Sequence, residues 1–304
     1  DELEPAANTA REHDIDERQA DPVTLEIFNQ HFSSIAARMG AVLKNTALSV
    51  NVKERLDFSC AIFTSDGDLV VNAPHIPVHL GAMSETVRQT IVRNATIRPG
   101  DIFVTNHPYA GGSHLPDVTV LSPVFAPAGD GETTFWVASR AHHSEIGGTT
   151  PGSMPPDAKC LGDEGVLIDN ICLRSGDGER RVDELRDVLT NGPWPSRCPA
   201  ENLSDIAAQI AANRAGEVDL LALMADQGRA KVIRQMRLIQ AAAEQKARAA
   251  IGRLPDGRRN FSDVMDTGAT ICVAVNVSGD EITVDFTGTD PVQPDNLNAN
   301  PAIV

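Results

Sequence analysis

The sequence predicts an α+β fold with mixed β-sheets and one long helical segment near residues 182–251. Three observations carry that reading. Runs of strand composition separated by turn residues fill much of the first 178 residues. Ala-rich helical periodicity takes over from about residue 182 to 251. A hairpin then returns, with strands at 269–277 and 282–286 around Ser278-Gly279-Asp280. The expected division is a disordered tail (1–20), an α+β domain (21–178), a helical segment (179–265) and a β-hairpin (266–304) that begins a C-terminal region not present in this chain.

Each element has a local reason. Residues 1–20 are rich in Ala, Glu and Asp and poor in large apolar side chains, so they bury too little surface to order. Asp21 before Pro22 is an N-cap followed by a first-turn proline. Leu25, Phe28, Phe32, Ile35, Met39, Val42 and Leu43 then recur on one helical face, to about residue 48. Residues 58–63 and 69–71 flank Ser65-Asp66-Gly67 as a hairpin. Pro74-His75-Ile76-Pro77 is a rigid loop before a helix at about 80–93, and Pro99-Gly100-Asp101 turns into a strand at 102–105. A Gly/Pro loop carries His107 and His114. Strands follow at 118–125 and 134–139, split by Pro127-Ala128-Gly129-Asp130-Gly131, and 147–156 is too rich in Gly and Pro for regular structure. A short helix spans 182–189. Residues 203–251 are helical, broken or bent near Gly216 and Gly228.

Composition narrows the class. A chain of 304 residues holds one large or two ordinary domains. Aromatics are only 4%, so Ala, Val, Ile and Leu must build most of the core. The net charge of −16 argues against a nucleic-acid partner, which needs clustered Lys and Arg. The five cysteines are odd in number, widely spaced and never CxxC, as expected of reduced thiols in cytoplasm. The first residues are polar and no long apolar run occurs, so neither a signal peptide nor a membrane span is expected. GxxxxGK[ST], GxGxxG and GxSxG are all absent, so any ATP is expected on another chain.

Six of the eight histidines fall between His75 and His143. Two phrases read as ligand sets: Gly111-Gly112-Ser113-His114-Leu115-Pro116-Asp117 and Arg140-Ala141-His142-His143-Ser144-Glu145-Ile146-Gly147-Gly148. Neutral imidazole and carboxylate on Gly- and Pro-stiffened backbone suit zinc, manganese or iron. His114 and Asp117 flank Pro116 on a bend that can aim both at one cation; the alternative is a surface loop with local hydrogen bonds. A 2-His-1-carboxylate iron site fits poorly, because its opening His-x-Asp/Glu spacing is missing. Adjacent residues of an extended chain face opposite ways, so one of His142 and His143 is a ligand while the other supports it or faces substrate. Glu145 either holds a ligand imidazole or reaches the site. Asp57, at a strand mouth, is a fourth ligand or an ion-pair partner of Arg55 or Arg140. His75 and His79 flank Pro77 and either line a pocket or are buried and hydrogen-bonded; His107 is similar. Cys60 lies inside a strand with no base nearby, so it is not a nucleophile.

Longer motifs point further: residues 51–60 (NVKERLDFSC), 73–81 (APHIPVHLG), 100–103 (GDIF), 106–117 (NHPYAGGSHLPD), 139–148 (SRAHHSEIGG), 151–154 (PGSM), 164–165 (EG) and 284–289 (VDFTGT). Through them the chain resembles the B-subunits of the hydantoinase B/oxoprolinase family, over roughly residues 21–300. The resemblance implies a division of labour. A hydantoinase A-like subunit with an actin/kinase-like ATP site phosphorylates a carbonyl or enol oxygen. A metal site on the B-subunit then completes hydrolysis or carboxylation. It implies Asp57, His114, Asp117 and His142 as ligands to zinc, manganese or iron, with His143 as the alternative to His142. The catalytic side chains expected around them are His143, Glu145, His75 and His79. Four departures stand out. Ala37-Arg38 precedes Met39-Gly40 where relatives often carry an acidic pair. His107 and Glu145 each replace a common Asp. Relatives usually continue well beyond this chain's end, so the chain is expected to be truncated. The expected function is the metal-bearing B-subunit of an ATP-dependent cyclic-amide hydrolase that opens hydantoin, 5-oxoproline or lactam rings. The alternatives are a ketone carboxylase subunit, a non-catalytic structural subunit and a stand-alone metal hydrolase.

Overall fold

The computed structural model describes residues 21–73, 76–126 and 131–304. The expected tail at 1–20, His75 and most of the turn at 127–131 lie outside the described residues. The α+β class holds, and every strand pairing in both sheets is antiparallel, so the mixed sheets expected are antiparallel ones.

Helix α1 (Pro22–Thr46) begins where Asp21 accepts from the backbone N–H groups of Val23 at 3.2 Å and Thr24 at 3.1 Å. Phe28, Phe32, Ile35, Met39 and Leu43 are its buried face. After a short helix α2 (Val50–Lys53), strands β1 (Phe58–Thr64) and β2 (Leu69–Asn72) form the expected hairpin. Helix α3 (Pro77–Arg93) starts at Pro77 rather than near residue 80, because proline at the first position needs no N–H partner. Strands β3 (Ile102–Thr105), β4 (Asp117–Phe125) and β5 (Thr133–His142) follow.

Beyond β5 come a short helix α4 (Leu161–Glu164) and strand β6 (Ile171–Arg174). Helices α5 (Val182–Thr190), α6 (Pro199–Gln227) and α7 (Arg229–Ile251) make up the helical segment. Strands β7 (Gly257–Val264), β8 (Thr270–Ser278) and β9 (Glu281–Asp285) close the described chain. The sequence reading missed β6 and β7. One is four residues long, and the other, exposed throughout, has no buried face to mark it and is laddered to β8.

The larger sheet runs β2-β1-β5-β4-β3-β6, and β7-β8-β9 form a separate three-stranded sheet. Strand alternation divides the core. Phe58, Cys60, Ile62, Phe135 and Val137 face α1, α6 and α7, meeting Phe28, Phe32, Met39 and Leu220. Ala61, Phe63, Leu121, Trp136 and Ala138 face the other way, onto Met83 and Val87 of α3.

Helix α6 passes straight through Gly216 and breaks only at Gly228, whose φ is +84°. At Gly216 a Cβ would lie 2.9 Å from Met39 Cγ, so the glycine lets α6 approach α1 rather than bend. The first half of the inner face of α6 also carries buried polar side chains. Gln209 Nε2 donates to Val118 O and to Ser139 O, each at 2.9 Å, and Asn213 Nδ2 donates to Val120 O at 3.0 Å. Asp205 accepts from the N–H groups of Leu48 at 2.7 Å and Ser49 at 3.1 Å. Such bonds offset most of the cost of burying these polar groups. These amides fasten β4 and β5 at the end that carries Asp117 and His142.

Candidate metal centre

Asp117, the first residue of β4, stands directly opposite His142, the last of β5. His114 reaches them from the preceding loop, where Asp117 N–H donates to His114 O at 3.0 Å and closes the bend around Pro116. His114 Nε2 lies 3.0 Å from His142 Nδ1, and that nitrogen lies 3.1 Å from Asp117 Oδ1. Asp117 Oδ2 lies 3.4 Å from His114 Nδ1 and 3.2 Å from His79 Nε2, and it also accepts from Ser113 Oγ. His79, itself buried, has Nδ1 3.0 Å from Ser59 Oγ.

Burial pushes the Asp117 carboxyl up, but hydrogen bonds from His142 and His79 outweigh it and hold the group well below the usual carboxylate range. Burial pushes His114 down, with Asp117 offsetting it only in part, so His114 offers a neutral ring. His142 is raised: burial lowers it, but the hydrogen bond and charge of Asp117 prevail. A ring nitrogen that serves as a donor to a metal must be free of its proton.

Ligand atoms of His114, Asp117 and His142 all lie within 4.8 Å of one another, the one such group of three His, Cys, Asp or Glu among the described residues. Two bonds of about 2.1 Å to one cation place their donors about 3.0 Å apart at a right angle and about 3.4 Å apart at the tetrahedral angle. The 3.0 Å between the two imidazole nitrogens fits that span. Two nitrogens and a carboxylate suit zinc, manganese or iron.

The other expected site residues are placed differently. Asp57 does not join the 4.8 Å group. It is tied to it through the backbone, where His142 N–H donates to Asp57 O at 2.9 Å, and through its charge, which acts on the His142 ring. Leu56, at φ +57°, turns the chain into that contact. His143 leaves the opposite face of the chain, away from the cluster. Asn202 Nδ2 donates to its Nδ1 at 3.1 Å, and its Nε2 lies 3.3 Å from Gln209 Oε1. Burial pushes it down, so it is a neutral imidazole held by α6. Glu145 also points away. It accepts from Ser196 Oγ at 2.5 Å and from the N–H groups of Arg197 at 2.9 Å and Gly147 at 3.1 Å, joining its loop to the entry of α6. His143 and Glu145 thus lie outside the three-residue group and are bonded instead to α6 and the residues just before it. His107 Nδ1 accepts from Tyr109 N–H at 3.1 Å, a local turn bond.

Several contributors escaped the sequence reading. Ser113 reaches Asp117 from within a quoted motif. Asn106 Nδ2 donates to Leu115 O at 2.8 Å and its Oδ1 accepts from Ile168 N–H at 2.7 Å, stapling the ligand loop to the next segment. Asn300 Nδ2 donates to Ser113 O at 2.9 Å, so the last residues fold back onto the loop. Arg140 shares a strand face with His142, which period-two alternation from His142 would have revealed.

The chain matches the model of the family described as Hydantoinase B/oxoprolinase over residues 21–304. It is 41% identical over 326 residues to 5-oxoprolinase 1 of Arabidopsis thaliana, covering 99% of this chain and 25% of that protein. It is 41% identical over 299 residues to 5-oxoprolinase of Saccharomyces cerevisiae, covering 94% of this chain and 23% of that protein. The structure superposes on the ATP-dependent caprolactamase of Pseudomonas jessenii with a TM-score of 0.83 and 28% identity, covering 94% of this chain and 49% of that chain. The chain thus spans about a quarter of the two oxoprolinases and half of the caprolactamase chain. With sequence relatives and a solved structure in agreement along nearly its whole described length, the chain belongs to the hydantoinase B/oxoprolinase family.

Proposed function

We propose that this chain carries the metal centre of an ATP-dependent hydrolase of cyclic amides: hydantoin, 5-oxoproline or a lactam. A hydantoinase A-like ATP-binding subunit phosphorylates the ring carbonyl oxygen, and ring opening is completed here: one water adds across the C–N bond, freeing the amine, and a second releases the phosphoryl group as inorganic phosphate to leave the carboxylate. The observation that carries the reading is the convergence of His114 Nε2, His142 Nδ1 and Asp117 Oδ1. The names of the relatives, two 5-oxoprolinases and an ATP-dependent caprolactamase, support the substrate class.

In this reading His114 and His142 are the nitrogen donors and Asp117 the buried anionic donor to zinc, manganese or iron. Asp57, whose carbonyl holds His142 N–H while its carboxylate lies outside the 4.8 Å group, would be the fourth donor once drawn onto the cation. A bound cation of this kind supplies Lewis acidity, polarising an oxygen of the substrate and activating water near neutral pH. His79 and Ser113 orient the Asp117 carboxylate by occupying Oδ2, leaving Oδ1 directed at His142. His143 and Glu145 hold the end of β5 and the entry of α6 in place. Five free cysteines suit a reducing cytoplasm, and no helix among the described residues is long and apolar enough to cross a membrane.

The test is metal analysis of the purified chain beside His114→Ala and Asp117→Asn, then ADP release by its complex with the ATP-binding partner over hydantoins, 5-oxoproline, lactams and ketones. One metal per chain, lost in both variants, and ring-opened product formed without bicarbonate are expected. A metal-free wild type returns the chain to a structural role, and a product that needs bicarbonate makes it a carboxylase subunit.

A further inference from the structure

Arg140 is fully buried in the same sheet face as the donor cluster, and the reading above gives it no task. It precedes His142 by two residues on β5, so both side chains leave the same face. Its Nε donates to Thr119 Oγ1 at 2.8 Å, and Thr119 stands opposite it on β4, two residues beyond Asp117. Its Nη2 donates to Thr86 Oγ1 of α3 at 2.7 Å and to Gly111 O at 2.8 Å. The Thr86 hydroxyl in turn lies 2.6 Å from Gly111 O, to which it donates. One guanidinium thus joins β4, β5, α3 and the loop three residues ahead of His114.

The loop is pressed hard against α3 at that point. Gly111 has φ +85°, and a Cβ there would lie 2.6 Å from Glu85 C and from Thr86 Cα. Nη1 of Arg140 is buried without a hydrogen-bond partner among the described residues. An arginine keeps its charge even when buried. A buried charge with an idle donor is costly, and apolar side chains of similar volume would close the same space at less expense. What they would not supply is a rigid fork with donors at two fixed directions.

We propose that Arg140 is a positioning residue for the metal centre: with Thr86 it clamps the Gly111 carbonyl and so sets where His114 meets Asp117 and His142. The proposal rests on the metal-centre reading of the preceding subsection. A lysine keeps the charge but cannot span Thr119 and Gly111 together, and Thr86→Val keeps the shape of the contact while removing the hydroxyl.

The test uses the full chain loaded with Co²⁺, read by chelator competition and by the visible spectrum of the bound ion, with the thermal midpoint measured on the same samples. Thr134→Val, a buried threonine at the far end of β5, is the control for threonine loss. Thr86→Val and Arg140→Lys are each expected to weaken Co²⁺ binding about 10- to 100-fold, the range for partners that orient ligands, and to alter the spectrum. Thr134→Val is expected to do neither. Unchanged affinity and spectrum in Thr86→Val, with wild type binding normally, overturns the clamp and leaves the metal centre standing. Equal losses in Thr134→Val overturn it too, because they report general loosening. Wild type that binds no Co²⁺ overturns the metal centre itself and the clamp with it. Should Arg140→Lys fail to fold, Thr86→Val decides the matter alone.

Discussion

Replacing Gly111 by alanine probes how tightly the ligand loop must sit. Two effects separate cleanly in this structure. The first is backbone conformation: at φ +85° an alanine loses about 1–2 kcal/mol relative to a right-handed conformation. The second is overlap. The new Cβ would overlap Thr86 N most and lie 2.6 Å from Glu85 C and Thr86 Cα, where ordinary contact begins at 3.4 Å, so one partner must yield by more than about 0.8 Å. All three atoms are backbone of α3, which is anchored on the sheet through Met83 and Val87, so the loop yields. His114 follows it. Metal–ligand distances tolerate about 0.2 Å, and the displacement is several times that. A loss of about 100-fold in zinc affinity is expected, or about 2.7 kcal/mol. Gly152→Ala isolates the first effect, since Gly152 has φ +84° with nothing within 4 Å of its Cβ position. The assay is chelator competition for Zn²⁺ on both variants, with thermal midpoints alongside. Affinity in Gly111→Ala within about threefold of Gly152→Ala refutes the claim that close approach positions His114.

Two further outcomes are expected. Burial pushes Glu145 up, but the Ser196 hydroxyl and the N–H groups of Gly147, Cys198 and Arg197 outweigh it and leave its carboxyl below the ordinary glutamate range. Its stabilisation is therefore complete above about pH 4.5 and is lost as pH falls through the lower folded value. Glu145→Gln should cost about 3 kcal/mol at pH 7, two charge-assisted bonds' worth, and flatten that acid-side dependence in urea titrations; an unchanged slope counts against the assignment. Gly216→Ala gains about 1 kcal/mol in helix propensity but forces a Cβ onto buried Met39, with Met39 Cγ 2.9 Å away. Overpacking of about 1–3 kcal/mol should prevail. In a Met39→Ala background the same change should stabilise, and equal effects in both backgrounds would show that the contact carries no strain.

Features governed by neighbours in the chain could be read without coordinates. Asp21-Pro22 specifies the start of α1 because a cap needs only a side-chain oxygen and two N–H groups a few residues on. The hairpin turns, the break at Gly228 and the bend that brings His114 to Asp117 are local in the same sense. The opposite orientations of His142 and His143 follow from strand alternation alone. Other features depended on partners remote in sequence. Gly216 looked like a bend, yet it is the contact between α6 and α1. Asp57 looked like an equal member of the donor set, but its carboxylate lies outside the 4.8 Å group while its carbonyl serves His142. Glu145 sits beside the ligand phrase and spends its oxygens on residues 196–198. Arg140 was visible in the motif only as a partner for Asp57, whereas its guanidinium meets α3 and the Gly111 loop. Short-range patterns state which groups are available and which way each leaves the backbone. Which groups converge is decided by the β4–β5 register and by the packing of α3 and α6 on opposite faces, since those contacts join residues that no local pattern relates.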